Sequence, residues 1–395
     1  MKKGPVYLDN NATTPIDPQV LGVMTKVLKE IYGNPSSVYR LGKIARIYLD
    51  SSREKIASFF DCNPSNIIFT SGGTEANNLA IKGIALKFLS QGRTPHLITA
   101  KTEHLSVLNS FKSLSELGCE VTYIDVDKEG YVKKDSLKKA IKQNTVLISL
   151  MHSNNETGVI QSIEQIVPSI NIYTNKSKFP KVYFHSDAVQ TLGKMKDWVS
   201  MLYKIGVDMI SVSAHKIYGP KGVGALVVKD DCELLPLLSG GNQEKWRRAG
   251  TENVTGIVGF AAAVDILQHR FDEDIKHIKR LEEMLIDLLE SNKIKYYVNG
   301  DMENCLLGTL NVTFDGIYDG ELLMATLDLE NIYVSTGSAC SSGAVEPSHV
   351  LRSMGLDDER VNGAIRISIG RFNTEEDIIY FVKKLREIVG RITKI

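Results

Sequence analysis

The sequence lacks the features that would mark a metalloprotein, a disulfide-stapled domain or a membrane protein. Its five cysteines (62, 119, 232, 305 and 340) are odd in number, widely scattered and never spaced as CxxC. Its eight histidines never fall at HxxxH spacing. No metal site is expected, disulfide and zinc frameworks are excluded as organising devices, and a reducing cytoplasmic setting is expected. No apolar run approaches the roughly 18 residues that span a bilayer. The opening MKKGPVYLDNNATTP has two lysines but no apolar stretch after them, so no secretory leader is expected. An excess of either charge is also missing, since Lys+Arg and Asp+Glu are both 47. That balance excludes a general binder of nucleic acid or of anionic membrane, which needs surplus cation.

What remains is an ordinary globular composition, 43% hydrophobic and 24% charged over 395 residues, long enough for two or three domains. Strands are expected at 67–70, 96–100, 120–124, 145–151, 181–185, 209–214 and 224–228. Most are continuous apolar runs, the pattern of strands covered on both faces of a mostly parallel sheet. Amphipathic stretches such as 106–117 and 134–143 lie between them, which makes an α/β domain. A long helix is expected over 253–291. After it come strands at 307–314 and 363–370, a helix at 319–330, and a last helix opened by a capping box at Thr374–Asp377. The domains are therefore drawn as a large α/β unit, 16–265, and a smaller α+β unit formed by 1–15 with 266–395. The polar 171–181 segment is expected to be a surface loop.

Several strand ends carry chemistry. Lys216 follows the run Met209–Val212 in SAHKIYGPKG, where a desolvated amine becomes nucleophilic and can form a Schiff base. Ser71-Gly72-Gly73-Thr74 stands between a strand and a helix, where backbone N–H groups and the Thr74 hydroxyl can receive phosphate. Asp187, with Gln190 three residues on, could hold a pyridinium nitrogen protonated. His104 could stack on a ring or carry protons, and Asn155 could donate to a phenolate or a substrate group. Cys340 sits in a stretch of small residues from Thr336 to Ala344. Arg366 alternates with Ile365 and Ile367, so its planar fork could grip a carboxylate. Taken singly, each has a plainer reading: a solvated lysine, a tight turn, an N-cap aspartate, an incidental loop thiol, a surface arginine. His152 is read as structural. The convergence of Thr74, His104, Asn155, Asp187 and Lys216 on strand ends is more specific, because doubly wound sheets bind ligands there.

The set YLDNNATTP (7–15), GNPSS (33–37), SGGTEANNLAIKG (71–83), TEH (102–104), NNETG (154–158), SAHKIYGPKG (213–222), RRAGTENV (247–254), GSACSS (337–342) and SIGR (368–371) resembles the cysteine desulfurases. These are class V aminotransferases of the fold type I pyridoxal-phosphate enzymes, here the group with a long catalytic-cysteine loop. The resemblance covers nearly the whole chain. It implies that Lys216 holds pyridoxal 5′-phosphate, that Gly73, Thr74, Ser213 and His215 bind its phosphate, and that Thr251 reaches the phosphate of a second subunit in a homodimer. It further implies Asp187 on the ring nitrogen, Gln190 and Asn155 on the 3′ oxygen, and His104 stacked on the ring and accepting a proton. Arg366, assisted by Asn155, would bind the carboxylate of L-cysteine, and Cys340 would take its sulfur as a persulfide while L-alanine leaves. The sulfur would pass to an acceptor protein such as an iron–sulfur scaffold, or towards tRNA thiolation, and Cys340 could touch a cluster transiently during that transfer. A selenocysteine lyase, or another class V aminotransferase that needs no Cys340, is the alternative. Three departures stand out: Tyr39 where the family has His, Ser186 where it has an aliphatic residue, and a long 171–181 segment.

Overall fold

The computed structural model describes residues 4–337 and 347–392. A short strand, β1 (Val6–Tyr7), comes first. Seven strands then form one sheet: β2 (Ile67–Thr70), β3 (His96–Ala100), β4 (Glu120–Ile124), β5 (Thr145–Ser149), β6 (Tyr183–Asp187), β7 (Met209–Ser213) and β8 (Gly224–Val228). Their order is β2-β8-β7-β6-β5-β3-β4. β8 alone runs against the rest, antiparallel to both neighbours. The connection 214–223 is too short for a helical crossover, so the chain reverses instead. With one reversed strand, the carboxyl ends of β2, β3, β5, β6 and β7 share one edge. The order departs from β3 in two directions, to β4 on one side and β5 on the other, which opens a crevice between their ends. Every residue of β3, β5, β7 and β8 is buried, as their continuous apolar runs require. Edge strand β4 is half-exposed.

Helices cover both faces. The helix Val254–Ser291 is capped by Asn253, whose side chain accepts from Gly256 N at 3.0 Å. Its first half gives Ile257, Phe260, Val264 and Leu267 to the core under the large sheet. Its second half gives Ile278, Leu281, Leu285 and Leu289 to a separate core. That core belongs to β9 (Tyr296–Val298), β10 (Thr309–Phe314), β11 (Ile332–Tyr333) and β12 (Ala364–Ser368). β10 lies antiparallel between β12 and β9, and β1 pairs in parallel with β11, so Val6 and Leu8 join the second core. Between the cores the buried Arg371 reaches Asp17 at 3.0 Å and Asp274 at 2.6 Å and lies over the Tyr218 ring. The Thr374 capping box forms: Thr374 N donates to Asp377 Oδ2 at 2.8 Å, and Asp377 N returns a bond to Thr374 Oγ1. No helix among the described residues is long and apolar enough to cross a membrane.

Two expectations are corrected. The segment 171–181 is not all loop, because the helix Ile163–Lys176 includes its first half. Ile163, Ile166, Val167, Ile170 and Thr174 keep helical spacing on one buried face, and only 177–181 connects to β6. The strand expected at 181–185 is displaced to Tyr183–Asp187, so Asp187 is the last strand residue rather than a residue beyond it.

Candidate active site

At the shared edge lies a cavity of about 250 Å³, lined by Gly73, Thr74, His104, Asn155, Asp187, Gln190, Ser213, His215, Lys216 and Arg366. Each belongs to a strand end or the turn after one, apart from Arg366, which β12 carries in from the three-stranded sheet of the second core. The plain reading of Arg366 as a surface residue is overturned, since only 4% of it is exposed. Thr251 is exposed and does not line this cavity. Cys340 lies outside the described residues. The chain reaches that stretch from Gly337 and leaves it towards Ser348, and both lie against the buried Glu156 carboxyl. Ser348 Oγ donates to it at 2.5 Å, and a Cβ on Gly337 would collide with it. Burial raises the pKa of Glu156, opposed by that hydrogen bond.

One end of the cavity is built for an anion. The helix Gly73–Ser90 points its N-terminus there. Its N-cap, Gly72, has φ +151°, and a Cβ on Gly73 would come within 2.7 Å of Val189 Cγ2, so both positions require glycine. Ser213 Oγ is fully buried beside them and lacks a hydrogen-bond partner among the described residues. Burial, then Lys216 and Lys221, pull His215 down to about 4, so its ring is neutral at pH 7 and acts as a hydrogen-bonding group. An orphaned hydroxyl at the end of a long helix fits a phosphate.

The middle is a polar chain. Asp187 Oδ2 accepts from Asn77 Nδ2 at 2.6 Å, and Oδ1 accepts from Val189 N at 3.0 Å. The aspartate therefore caps the following turn and also faces the cavity. Asn77 Nδ2 also donates to Ser106 Oγ at 2.8 Å. Ser106 N donates to His104 Nδ1 at 3.1 Å, which leaves the His104 proton on Nε2. Burial lowers the pKa of His104. Asp187 opposes that shift, while Lys216 and His349 add to it.

The far end holds charge. Lys216 Nζ donates to the carbonyls of Asn11 at 2.5 Å and Ala12 at 2.8 Å. Arg366 Nη2 meets Asp9 Oδ1 at 2.6 Å and Nη1 meets Asn155 O at 2.9 Å, while its buried Nε is unpaired among the described residues. The two N–H bonds fix the guanidinium plane, and the unpaired edge suits a carboxylate. Gln190 Nε2 donates to Asn11 O at 2.9 Å.

Sequence reasoning missed Asp9, Asn11, Asn77 and Lys194. Asn77 had a signal: it is a polar residue on the apolar face that holds Ala76, Leu79 and Ala80. His152 is structural as expected, bonded to Thr191 at 2.7 Å and stacked on Trp198.

The Aminotransferase class-V family model matches residues 6–381. The cysteine desulfurase IscS of Dictyoglomus turgidum is 43% identical over 393 residues, covering all of this chain and 96% of the relative. A solved NifS-like protein superposes with a TM-score of 0.89 at 39% identity, covering 98% of this chain and 99% of the other. A second solved structure, SspA in complex with cysteine, gives a TM-score of 0.76 at 34% identity over 93% of this chain and 99% of the other.

Proposed function

Because the chain belongs to the class V aminotransferase family, we propose that it is a cysteine desulfurase dependent on pyridoxal 5′-phosphate. The observation that carries this reading is the single cavity joining an anion end, Asp187, Lys216 and Arg366. The residues suit the cofactor: the orphaned Ser213 hydroxyl and the helix N-terminus for its phosphate, Asp187 for its ring nitrogen, Lys216 for its aldehyde. When bound, that group supplies an aldehyde that condenses with amines and a ring that accepts the electron pair of a broken α-carbon bond.

The chain's own residues do the rest. Arg366 holds the carboxylate of L-cysteine, and Asn155 keeps the guanidinium in plane through its carbonyl. Lys216 Nζ, once neutral, takes the α-proton. His104 is neutral, with its proton on Nε2, and takes the thiol proton of Cys340 on Nδ1 by giving up the bond from Ser106 N; an unperturbed thiol would not shed that proton readily at pH 7. The Cys340 thiolate attacks the substrate sulfur. An S–S bond forms as the carbon–sulfur bond breaks, the carbon fragment takes up the protons and leaves as L-alanine, and Cys340 keeps a persulfide. A protein acceptor, such as an iron–sulfur scaffold, then collects that sulfur in the cytoplasm.

A second copy of the chain completes the assembly. Leu21, Leu28, Tyr32, Val38 and Ile47 are exposed on or between the helices Pro18–Glu30 and Arg40–Phe59, an apolar surface that a homodimer covers. Thr251, exposed outside its own cavity, serves the phosphate of that partner.

The test incubates the purified protein with L-cysteine and measures alanine and persulfide on Cys340 together. The reading expects both from the wild type. It expects neither persulfide nor sulfide from Cys340→Ala, which still carries the cofactor's colour. Normal sulfur release from that variant refutes the nucleophile, and absence of alanine from the wild type refutes the activity.

A further inference from the structure

Behind the cavity wall lies a cation that the reading above does not use. Lys194 follows β6 in the turn that carries Gln190, and its side chain folds back beneath the pocket. Its ammonium donates to Asn11 Oδ1 and, at 3.1 Å, to Gln190 Oε1. An ammonium can only donate, so it fixes which way both amides face. Asn11 then turns its nitrogen to Thr309 Oγ1 at 3.1 Å, and Gln190 turns its own to the Asn11 carbonyl at 2.9 Å. That same carbonyl accepts from Lys216 Nζ at 2.5 Å. Lys194 and Lys216 thus hold opposite ends of one residue, Asn11.

We propose that Lys194 is a positioning residue for Lys216: it locks the Asn11–Gln190 amide pair and sets a second positive charge against the reacting amine. Nothing on Lys194 touches substrate, since it does not line the cavity. Its charged surroundings are Lys216, from the turn after β7, and Arg366, from β12, whose charge Asp9 offsets at 2.6 Å. As a residue Lys194 is only half-buried, yet desolvation is the largest influence on its ammonium, and with Lys216 and Arg366 it brings the pKa to about 7. Like charges disfavour each other's protonation, so a charged Lys194 helps Lys216 shed its proton. The inference rests on the proposed role of Lys216.

The experiment compares wild type, Lys194→Met and Lys194→Arg. In the holoenzyme, the pH midpoint of the cofactor's absorbance change is recorded. In the full chain freed of cofactor, the pH dependence of Lys216 acylation is read by peptide mass spectrometry. Lys194→Met should move both midpoints up by roughly one unit, with kcat at pH 7 falling up to about tenfold and KM changing much less. Lys194→Arg keeps the charge at every pH and should leave both midpoints in place or move them lower. A Met variant that melts like wild type with unmoved midpoints overturns the proposal. Should the Met variant fail to fold, an Arg variant with either midpoint raised overturns it, and one with midpoints in place or lowered upholds it. Acylation needs no turnover, so a failure to make alanine would sink the desulfurase reading and leave this measurement standing.

Discussion

The two ends of the cavity are built on different principles. Among the described residues, the anion end is built from glycine backbone at a helix N-terminus, a serine hydroxyl without a partner and a neutral histidine. The opposite end crowds Lys216, Lys194 and Arg366 together, with Asp9 as the close counter-charge. Dipoles hold an anion without changing charge state, so the first end can bind tightly and stay inert through a reaction cycle. Burial, with Lys216 and Arg366 close by, brings Lys194 down to about 7, so the second end can exchange protons near neutrality. Binding and chemistry are thus segregated along one cavity.

Substitutions can break this contrast, the largest effect first. Lys216→Ala should cut alanine formation by roughly a thousandfold or more while phosphate-end binding of the cofactor survives, measured by turnover and by cofactor retained on gel filtration. Arg366→Lys keeps charge but loses the fork, and should raise the KM for cysteine about tenfold or more with a smaller change in kcat, read from initial rates. Ser213→Ala should weaken cofactor affinity about tenfold by titration. It should leave the melting temperature of the cofactor-free protein unchanged or slightly raised, because that hydroxyl has no partner among the described residues to lose. A melting temperature that fell with no change in affinity would erase the distinction between the two ends.

The smallest effect is on acid stability. Burial holds His185 at about 3 and His215 at about 4, below the ordinary value near 6.5. Between those values and 6.5 the unfolded chain binds more protons than the folded one, so stability falls as pH falls through that window. The wild-type urea midpoint should decline from about pH 6.5 downward more steeply than that of a variant carrying His185→Asn and His215→Asn; equal declines between pH 7 and 4.5 would contradict the burial argument.

Much of this was legible in the sequence because polar, chemically able residues directly follow apolar strands. Thr74, His104, Asn155, Asp187 and Lys216, which line one cavity, are picked out that way, and the alternation of Arg366 with Ile365 and Ile367 puts it on the face opposite the second core. Residues that act through distant partners were not legible. Asn11 meets Lys216 and Asp9 meets Arg366 only because β1 pairs with β11, a pairing that no local pattern announces. Lys194 looks like any surface lysine until its turn folds back. The reversed β8 was hidden as well, since a buried apolar run reads the same in either direction; only the short 214–223 link carries the hint. The helical first half of 171–181 was masked by its polar composition, although its buried face continues the spacing begun at Ile163.

The amino-terminal path has a practical consequence. Residues 6–12 start in the small sheet and end against the Lys216 ammonium, like a mooring line thrown from one hull to another. A protease that nicked this line would leave both hulls afloat, each with its own apolar interior, and yet cast the reactive amine adrift. Fusion partners and affinity handles are therefore safer at the opposite terminus.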